Sequence, residues 1–584
     1  MNVIGISAYY HEAACGLLQD GRLVAAAEEE RFSRVKHDAR LPVAAFRFCL
    51  EAGGLDVTDV DCVAFYESPV KKLARQLWAG RRAEAGTGTG LDPLRAEREI
   101  REVLGFEGRL ETFEHHASHA ASTFFYSGFP EAAVLTVDGV GEWATTTYGH
   151  GDGADLTLFE DVEFPDSLGL FYSAITAYLG FRVNSGEYKV MGLAPYGEPR
   201  LLDVMRTIVR DAPGGSYSLD PACFDFVAGS RMFADALAER LGGPPRAPEA
   251  ELTAFHHDVA RSAQARLEEV LLDKVRYLHE RVPSRHLCLA GGVALNCVAN
   301  GRLLREGPFE RLFVQPAAGD AGGCLGAAAL AYRALTGRRP SAEPLAHVYL
   351  GPRFTADAIA AQLAAAEIDA HDFRGREAAL LEATVDRLAA GQVVAWFHGA
   401  MEFGPRALGA RSLLADPRLA DMRERLNGLV KRREAFRPFA PSVLLADAAG
   451  HLELDHPSPF MLETCRVRSP LALPAVTHVD GSARPQTVDP AAAPRFAALL
   501  RAFGRRTGCP VLLNTSFNVR DEPIVCTPAD ALACVAGTEI DALVLEDFVI
   551  DRAMVPAGLR ALAARRAIDQ ARENAISAVL YTFV

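Results

Sequence analysis

Residues Asn2–Ala27 read NVIGISAYYHEAACGLLQDGRLVAAA, and their pattern indicates the fold of the first half of the chain. It contains three short apolar segments with the length and composition of β-strands. The pair Asp20-Gly21, between the second and third segments, is typical of a two-residue hairpin turn. The stretch therefore predicts three antiparallel strands, at Asn2–Ser7, Ala13–Leu18 and Leu23–Ala27.

The same pattern returns further along the chain, with a glycine turn at Gly151–Gly153. Its strands are predicted at Ala132–Val137, Trp143–Tyr148 and Leu156–Val162. Helices should follow each copy, the first of them beginning near Pro42. Two such copies predict an α/β fold with an internal duplication of the actin and ribonuclease H kind. In this architecture the cleft between the two halves is the natural ligand site.

Length and composition restrict the class of protein. A chain of 584 residues is too long for one hydrophobic core, and 49% hydrophobic with 23% charged residues is ordinary for a globular protein. A net charge of -14 argues against nucleic acid as the main partner. The eleven cysteines contain no CxxC pair, which favours a reducing compartment. The start lacks the features of a signal peptide and no apolar run could span a bilayer, so we expect a cytoplasmic protein.

The stretch Thr112–Ala121, TFEHHASHAA, contains three histidines. On a helix His115 and His119 are four residues apart, so both rings project from one face and could bind one divalent metal. His116 would point elsewhere. The alternative is a histidine-rich helix start whose rings cap neighbours or lie in the core.

Two glycine-containing turns could approach a phosphate at a helix N-terminus. In HLCLAGGVALNCVAN a buried strand precedes Gly291-Gly292 and a helix from about Ala294. In PAAGDAGGCLGAAALAY, Asp320 is expected in a glycine loop, Gly319–Gly323, ahead of another helix.

The segment Leu335–Pro344, LTGRRPSAEP, is the best candidate linker, and a second domain should begin near Val348. Cationic residues are concentrated in this second part, beside hydroxyl and amide side chains. Such a set suits a polyphosphate, whereas a solvated basic face is the alternative. The cations are Arg406, Arg411, Lys431, Arg433 and Arg437.

A series of motifs, in one order from the N-terminus to about residue 530, resembles the NodU/CmcH/TobZ-type O-carbamoyltransferases. The motifs are GISAYYHEAACGLL, EEERFSRVKH, EHHASHA, VDGVGEW, SGEYKVMGLAPYG, GGVALN, GDAGGCLGAA, EFGPRALGARS, VKRREAFRPFAPS and NTSFNVRDEP. The resemblance implies a TsaD-like transfer domain at 1–345 and a YrdC-like domain at 346–545 that forms carbamoyl adenylate from carbamoyl phosphate and ATP. A tail at 546–584 could pack back on the first domain.

The resemblance also implies a set of site residues. In the TsaD-like fold the two histidines and two aspartates hold an iron-type divalent ion, here His115, His119, Asp138 and Asp320, although zinc or manganese fits the same ligands. The YrdC-like signature matches Lys431 and Arg433 in its first half and Ser516 and Asn518 in its second. Lys431 and Ser516 would serve the formation of carbamoyl adenylate from ATP with Mg²⁺. An adenylate would lie near Gly291, Gly292, Asn296 and Gly319.

His11 follows the first strand and could take the proton of an acceptor hydroxyl, or could be a capping or core histidine. The run EEERFSRVKH, with Glu29, Arg31 and His37, could line the acceptor pocket or form a salt-bridged turn. The implied acceptor is a hydroxylated small molecule, and a homodimer is compatible with the sequence.

Three other functions compete with this interpretation. An enzyme of tRNA threonylcarbamoylation is expected to carry a basic arm. A HypF-like maturase is expected to contain CxxC pairs and to carry its YrdC-like domain before its TsaD-like domain. A non-enzymatic actin-like scaffold would leave Lys431 to Asn518 unexplained.

Overall fold

The computed structural model describes residues 1–80, 91–227, 229, 231–340, 343–431 and 433–563. The chain forms two compact units. Of the described residues, the first contains Met1–Ser33 and His37–Leu345, and the second contains Arg34–Lys36 and 346–563. Part of the predicted linker (341–342) and most of the predicted tail (564–584) lie outside the described residues.

The first unit begins with the predicted meander. Strands β1, β2 and β3 are antiparallel neighbours, and β4 and β5 extend the sheet in parallel on the other side of β1. Asp20 and Gly21 both have positive φ, as a type I′ turn requires. The strands are β1 Asn2–Ser7, β2 Ala14–Gln19, β3 Arg22–Glu28, β4 Cys62–Phe65 and β5 Arg109–Thr112.

A second sheet repeats the first. Its order is β8-β7-β6-β11-β12, the same as β3-β2-β1-β4-β5, with the same parallel and antiparallel pairs. The predicted α/β fold with an internal duplication is therefore confirmed. The strands, with a two-stranded ribbon formed by β9 and β10, are β6 Glu131–Val137, β7 Ala144–Asp152, β8 Asp155–Glu163, β9 Val209–Asp211, β10 Tyr217–Leu219, β11 His286–Ala290 and β12 Arg311–Val314.

Helices of the first unit carry several of the predicted site residues. They are α1 Glu30–Ser33, α2 Val43–Gly53, α3 Pro69–Trp78, α4 Arg95–Glu102, α5 His115–Phe124, α6 Leu168–Tyr178, α7 Glu187–Leu193, α8 Leu202–Ile208, α9 Asp235–Leu241, α10 Ala254–Arg281, α11 Cys297–Glu306 and α12 Asp320–Thr336. Helix α12 packs on α5 and on the first sheet. A Cβ at Gly326 of α12 would lie 1.7 Å from the Ser118 carbonyl oxygen of α5, so glycine is what permits this close approach.

The second unit is also α/β. Its eight-stranded mixed sheet has the order β13-β22-β21-β14-β15-β20-β16-β19, and β17 pairs with β18. The strands are β13 His371–Asp372, β14 Val394–Phe397, β15 Arg411–Ala415, β16 Ala440–Leu444, β17 Cys465–Arg466, β18 Ser482–Ala483, β19 Gln486–Val488, β20 Val511–Ser516, β21 Ala542–Leu545 and β22 Phe548–Asp551.

The helices of the second unit pack on this sheet around a core that contains the fully buried Trp396. They are α13 Ala356–Ala365, α14 Glu377–Ala389, α15 Met422–Arg425, α16 Pro494–Thr507 and α17 Pro528–Ala536. A π-helical turn, Leu426–Val430, directly precedes Lys431. Across the described ranges, we find no helix that combines the length and the apolar composition needed to cross a membrane.

Candidate functional site

The four predicted metal ligands of the first unit converge in the interior. Helix α5 begins at His115 and directs the Nε2 atoms of His115 and His119 to one point, where they lie 3.0 Å apart. Asp138 Oδ2 is 3.2 Å from His115 Nε2 and 3.7 Å from His119 Nε2. Asp320 Oδ1 is 3.5 Å and 3.7 Å from the same two nitrogens. All four side chains are buried.

These separations fit one metal ion. An ion with bonds of about 2.1 Å places neighbouring donor atoms about 3.0 Å apart at right angles and about 3.4 Å apart in a tetrahedron. The donor separations of 3.0 to 3.7 Å cover these values. Two imidazole nitrogens and two carboxylates suit iron, manganese or zinc and leave room for further oxygen ligands.

Neighbouring groups hold the two carboxylates. The Gly292 amide donates to Asp138 Oδ1 at 2.7 Å, and the Tyr66 hydroxyl donates to Asp320 Oδ2 at 3.4 Å. The Nδ1 atoms of His115 and His119 have no hydrogen-bond partner among the described residues. Each carboxylate therefore keeps one oxygen for the metal position.

His116 is excluded from this cluster. Its Nδ1 lies 2.7 Å from the Thr136 hydroxyl, so the ring points away from the converging nitrogens, as the helical spacing predicts. Burial and the neighbouring His115 and His119 hold the pKa of His116 well below its usual value. This ring therefore stays neutral and serves packing.

Neighbouring groups within the cluster strongly shift the pKa values of His115 and Asp138. Burial opposes a charge on His115, but the carboxylates of Asp320 and Asp138 outweigh it and raise its pKa to about 9. Burial would raise the pKa of Asp138, yet its contacts with His115 and His119 hold that pKa well below its usual range. Positive charge is therefore favoured at this position, and a divalent cation would supply it.

His11 lies near this cluster at the end of β1. Its side chain is 24% exposed, and its Nδ1 is 3.8 Å from Glu12 Oε1. The ring meets His37 edge-on at 6.0 Å between centroids. Burial opposes the charged form, but Glu12, Asp320 and Asp138 raise the pKa of His11 overall. A half-buried imidazole in this setting can accept and release a proton.

The acidic run before His37 has a structural role. Both carboxylate oxygens of Glu29 accept backbone amides at the start of α2, at 3.1 and 2.9 Å. Arg31 binds Glu28 at 3.1 Å and Glu30 at 2.7 Å, and all three are buried. The salt-bridged turn is therefore the alternative that fits Glu29 and Arg31.

The two glycine turns differ from the predicted phosphate cradle. The amide of Gly291 donates to Ala318 O at 2.8 Å, and that of Gly292 is bound by Asp138. Helix α12 begins at Asp320 and contains Gly322 and Gly323, so the predicted glycine loop at 319–323 is wrong. These glycines serve close packing and orientation of a carboxylate instead.

Asn296 also has a structural partner for each polar atom of its amide. Its Oδ1 caps α11 by accepting from Ala299 N at 3.0 Å, and its Nδ2 donates to Gln264 Oε1 at 2.9 Å. Gly319 directly precedes α12, and a Cβ there would lie 2.6 Å from Glu12 Oε2. These contacts argue against Asn296 as a direct nucleotide ligand.

In the second unit Lys431 lies in a set of oxygen atoms from the end of β20. Its Nζ donates to Ser516 Oγ at 3.1 Å, Asn518 O at 3.0 Å, Asn518 Oδ1 at 2.6 Å and the Ser516 carbonyl. Lys431 is only 3% exposed. Burial, together with Arg433 and Arg437, holds its pKa well below the usual value. An anion beside this ammonium would relieve that unfavourable environment.

The predicted arginines fall into two groups. Arg433 and Arg437 are half-buried, and the Arg433 guanidinium donates to Asn427 Oδ1 at 2.7 Å while lying over Phe439. Arg406 is half-buried in the loop before β15.

Arg411 belongs to the core. It is 0% exposed, and its terminal nitrogens donate to the carbonyls of His398, Gly399, Ala410 and Pro352. Its guanidinium has no accessible face for a phosphate, so the predicted anion-binding role is not supported for Arg411.

Sequence reasoning did not single out three residues that build the first site. They are Tyr66, which holds Asp320, Glu142, which binds the amide of His115 at 3.0 Å, and Gly326, which brings α12 to α5. Glu142 lies within the quoted motif VDGVGEW, so the motif carried a signal for it. Tyr66 follows a buried strand with no distinctive pattern.

Comparisons with known proteins cover most of the chain. Residues 2–80 and 99–329 match the family described as Carbamoyltransferase N-terminus, and residues 385–552 match Carbamoyltransferase C-terminus. An uncharacterised Synechocystis protein is 46% identical over 95% of this chain and 97% of its own length.

Two similar proteins have informative names. Nodulation protein NolNO of Sinorhizobium fredii is 39% identical over 93% of this chain and 79% of its own length. A 3'-hydroxymethylcephem-O-carbamoyltransferase of Streptomyces clavuligerus is 30% identical over 92% of this chain and 96% of its own length.

Proposed function

This chain belongs to the carbamoyltransferase family, and on that premise we propose that it carbamoylates a hydroxyl group of a small molecule. The observation that carries the proposal is the buried convergence of His115, His119, Asp138 and Asp320 within the residues that match the family's N-terminal part. The chain is a transferase, and the cephem enzyme's name indicates the chemical kind of acceptor, an alcohol.

The activation step is assigned to the second unit. Water would first hydrolyse carbamoyl phosphate to carbamate and phosphate. A carbamate oxygen would then attack the α-phosphorus of Mg²⁺-ATP, which forms carbamoyl adenylate and releases pyrophosphate. Lys431 would neutralise charge that develops at the phosphorus, and Ser516 and Asn518 would hold its ammonium in place. Arg433 and Arg437 would bind the phosphate oxygens that depart.

The transfer step is assigned to the first unit. A divalent ion, which we propose to be iron, would be held by the four ligands and would polarise oxygen atoms of the adenylate as a Lewis acid. His11 would accept the proton of the acceptor hydroxyl as its oxygen attacks the carbamoyl carbon, and AMP would leave. The four ligands are buried, which would keep bulk water from hydrolysing an adenylate bound beside them.

The test is an assay of the purified protein with ATP, ¹³C-labelled carbamoyl phosphate and a panel of alcohols. The panel contains a hydroxymethylcephem, monosaccharides and oligosaccharides, and mass spectrometry detects a labelled carbamoyl group on the product. Reactions without ATP and reactions with a Lys431→Met variant are the controls. Parallel reactions replace the alcohols with tRNA, threonine and ¹³C-bicarbonate, or with a cysteine-containing peptide. Label found only on tRNA would support threonylcarbamoylation, and label only on the peptide thiol would support a maturase. Either result would overturn the proposal.

A further inference from the structure

We propose that Glu142 is a positioning residue of the metal centre, because it holds the backbone of His115 where α5 begins. This inference rests on the proposed function, since it assumes that the four-residue cluster binds a metal. Glu142 does not touch the metal position itself. Its effect would reach the metal through the residue that it anchors.

The contacts of Glu142 define this role. The His115 amide lies 3.0 Å from Oε1 and 3.1 Å from Oε2, and the Ser68 amide donates to Oε1 at 2.6 Å. Ser68 directly precedes α3, so one carboxylate binds at the N-termini of two helices. Glu142 is 5% exposed. A buried carboxylate is tolerated when amides satisfy it, and helix N-termini favour negative charge.

The start of α5 has no local cap. The residue before it, Glu114, makes no capping hydrogen bond with its side chain, which pairs with Lys71 instead. The first amide of the helix is therefore bound by a glutamate 27 positions along the chain. A local N-cap side chain would accept from the second or third amide of the helix, so the first amide, that of His115, needs an acceptor from another part of the chain.

The histidine rings lack the usual support from a second hydrogen bond. A metal-binding histidine generally donates its other ring N–H to an acceptor that fixes the ring, but Nδ1 of His115 and of His119 has no such partner among the described residues. The position of the His115 ring is then set by its backbone and by packing, including a contact with Tyr66 at 5.1 Å between ring centroids. The hydrogen bond between Glu142 and the His115 amide consequently helps to fix the position of the ring, as a hydrogen bond to Nδ1 otherwise would.

One short loop holds both ends of His115. Asp138 approaches Nε2 of the ring at 3.2 Å, and Glu142, four residues later, binds the amide of the same residue. Gly141 lets the loop pass close to the helix, because a Cβ there would lie 3.0 Å from the Cβ of His115. Movement of this loop would therefore displace the Asp138 carboxylate and the backbone of His115 together.

The chain offers a matched control in Glu67. Its carboxylate is almost equally buried, at 6% exposure, and lies next to Ser68 in the sequence. It forms an ion pair with Lys72 at 3.0 Å. Replacing Glu67 removes a buried charge from the same region but leaves the anchor on His115 in place.

The experiment measures binding of Co²⁺ alone to metal-stripped protein, by titration and by visible absorption. Wild type, Glu142→Gln and Glu67→Gln are compared. Glutamine keeps one acceptor oxygen and loses the charge, and an NH₂ group in the place of Oε2 would lie 3.1 Å from the His115 amide, donor against donor. We expect Glu142→Gln to weaken Co²⁺ binding by about 10- to 100-fold and to change the ligand-field spectrum. Glu67→Gln should stay within about threefold of wild type with an unchanged spectrum.

Thermal melting separates positioning from a general loss of stability. Glu142→Asp keeps the charge and should recover part of the affinity if anchoring is the cause. Wild-type affinity and spectrum in Glu142→Gln would overturn the inference, as would equal losses in both glutamine variants. Failure of both Glu142 variants to fold would also overturn it, by making the residue structural.

The wild-type arm separates this inference from the proposed function. If wild type binds no Co²⁺, both are wrong. If wild type binds Co²⁺ and transfers carbamoyl groups while Glu142→Gln binds normally, only the inference about Glu142 is wrong.

Discussion

Replacing Lys431 by methionine tests the assignment of activation to the second unit. Among the described residues, the ammonium group donates to oxygen atoms of Ser516 and Asn518 at the end of β20. Methionine has a similar length and no charge, so the change removes the donor with little change in volume. We expect loss of pyrophosphate release and a modest loss of stability.

The magnitudes follow from these contacts. Loss of one preorganised donor to a developing charge costs about 10²- to 10³-fold in rate, or about 3–4 kcal/mol. In the methionine variant the Ser516 hydroxyl still donates a hydrogen bond to Asn518 Oδ1, at 2.7 Å. The carbonyls of Ser516 and Asn518 lose the lysine donor. A buried acceptor without a donor costs about 1–3 kcal/mol, partly offset because a charge is no longer buried. We therefore expect a net destabilisation of about 1–3 kcal/mol.

The assay is release of pyrophosphate from ATP that depends on carbamoyl phosphate. Arg411→Lys is the matched control, since it alters a buried cation of the same unit that donates to carbonyls. It should lose stability and keep most of its rate. Lys431→Met should still transfer carbamoyl groups from supplied carbamoyl adenylate. Pyrophosphate release within tenfold of wild type, or loss of transfer from supplied adenylate, would refute the assignment.

Three further predictions concern other parts of the chain. A double variant, His115→Ala with His119→Ala, should lose bound metal by elemental analysis and keep its circular dichroism spectrum; full metal occupancy would contradict the ligand set. Gly326→Ala should destabilise the protein by about 1–3 kcal/mol and lower its metal content, because α5 and α12 must separate, whereas wild-type values for both would disprove this. Hydrogen bonding to Glu463 raises the pKa of His456 to about 9. The stabilisation of the folded protein by this pair is therefore complete below about pH 6.5 and is lost as pH rises through about 9. His456→Gln should therefore cost at most about 1 kcal/mol at pH 6 and almost nothing at pH 10 in denaturant titrations, and a pH-independent difference would contradict the pair.

The strands of the duplicated sheets were predictable because their pattern is local. Asn2–Ser7 is observed with the predicted bounds, and the other strands of both meanders differ by a few residues at their ends. Alternation and hairpin turns act over neighbouring residues, so the sequence alone carries them. The close approach of α12 to α5 depends on packing between segments that are distant in the sequence, so no local pattern predicts it.

The glycines within α12 show where prediction from the local sequence fails. The sequence predicts Gly322 and Gly323 in a loop whose backbone could approach a phosphate ahead of a helix. In the structure they lie in the helix, where a Cβ at Gly323 would meet Tyr66 at 2.7 Å and one at Gly322 would meet Ala317 O at 2.2 Å. The cost of glycine in a helix is thus offset by contacts that only a residue without a side chain allows. One of these contacts packs the helix against Tyr66, whose hydroxyl binds the Asp320 carboxylate.

Arg411 and Lys431 show why charge density in a motif cannot assign an anion site. Both are buried cations bonded to carbonyl oxygens, and both have a lowered pKa, that of Arg411 falling to about 10 through burial. Arg411 is the first residue of β15 and pairs with Phe397 of β14. The Cζ atom of its guanidinium lies 3.5 Å from the centre of the Phe397 ring, so the sheet register fixes Arg411 within the core. Lys431 follows a π-helical turn, and its acceptors Ser516 and Asn518 are half-buried rather than fully buried. The partners of a cation, rather than its presence in a basic motif, therefore decide whether an anion can replace them.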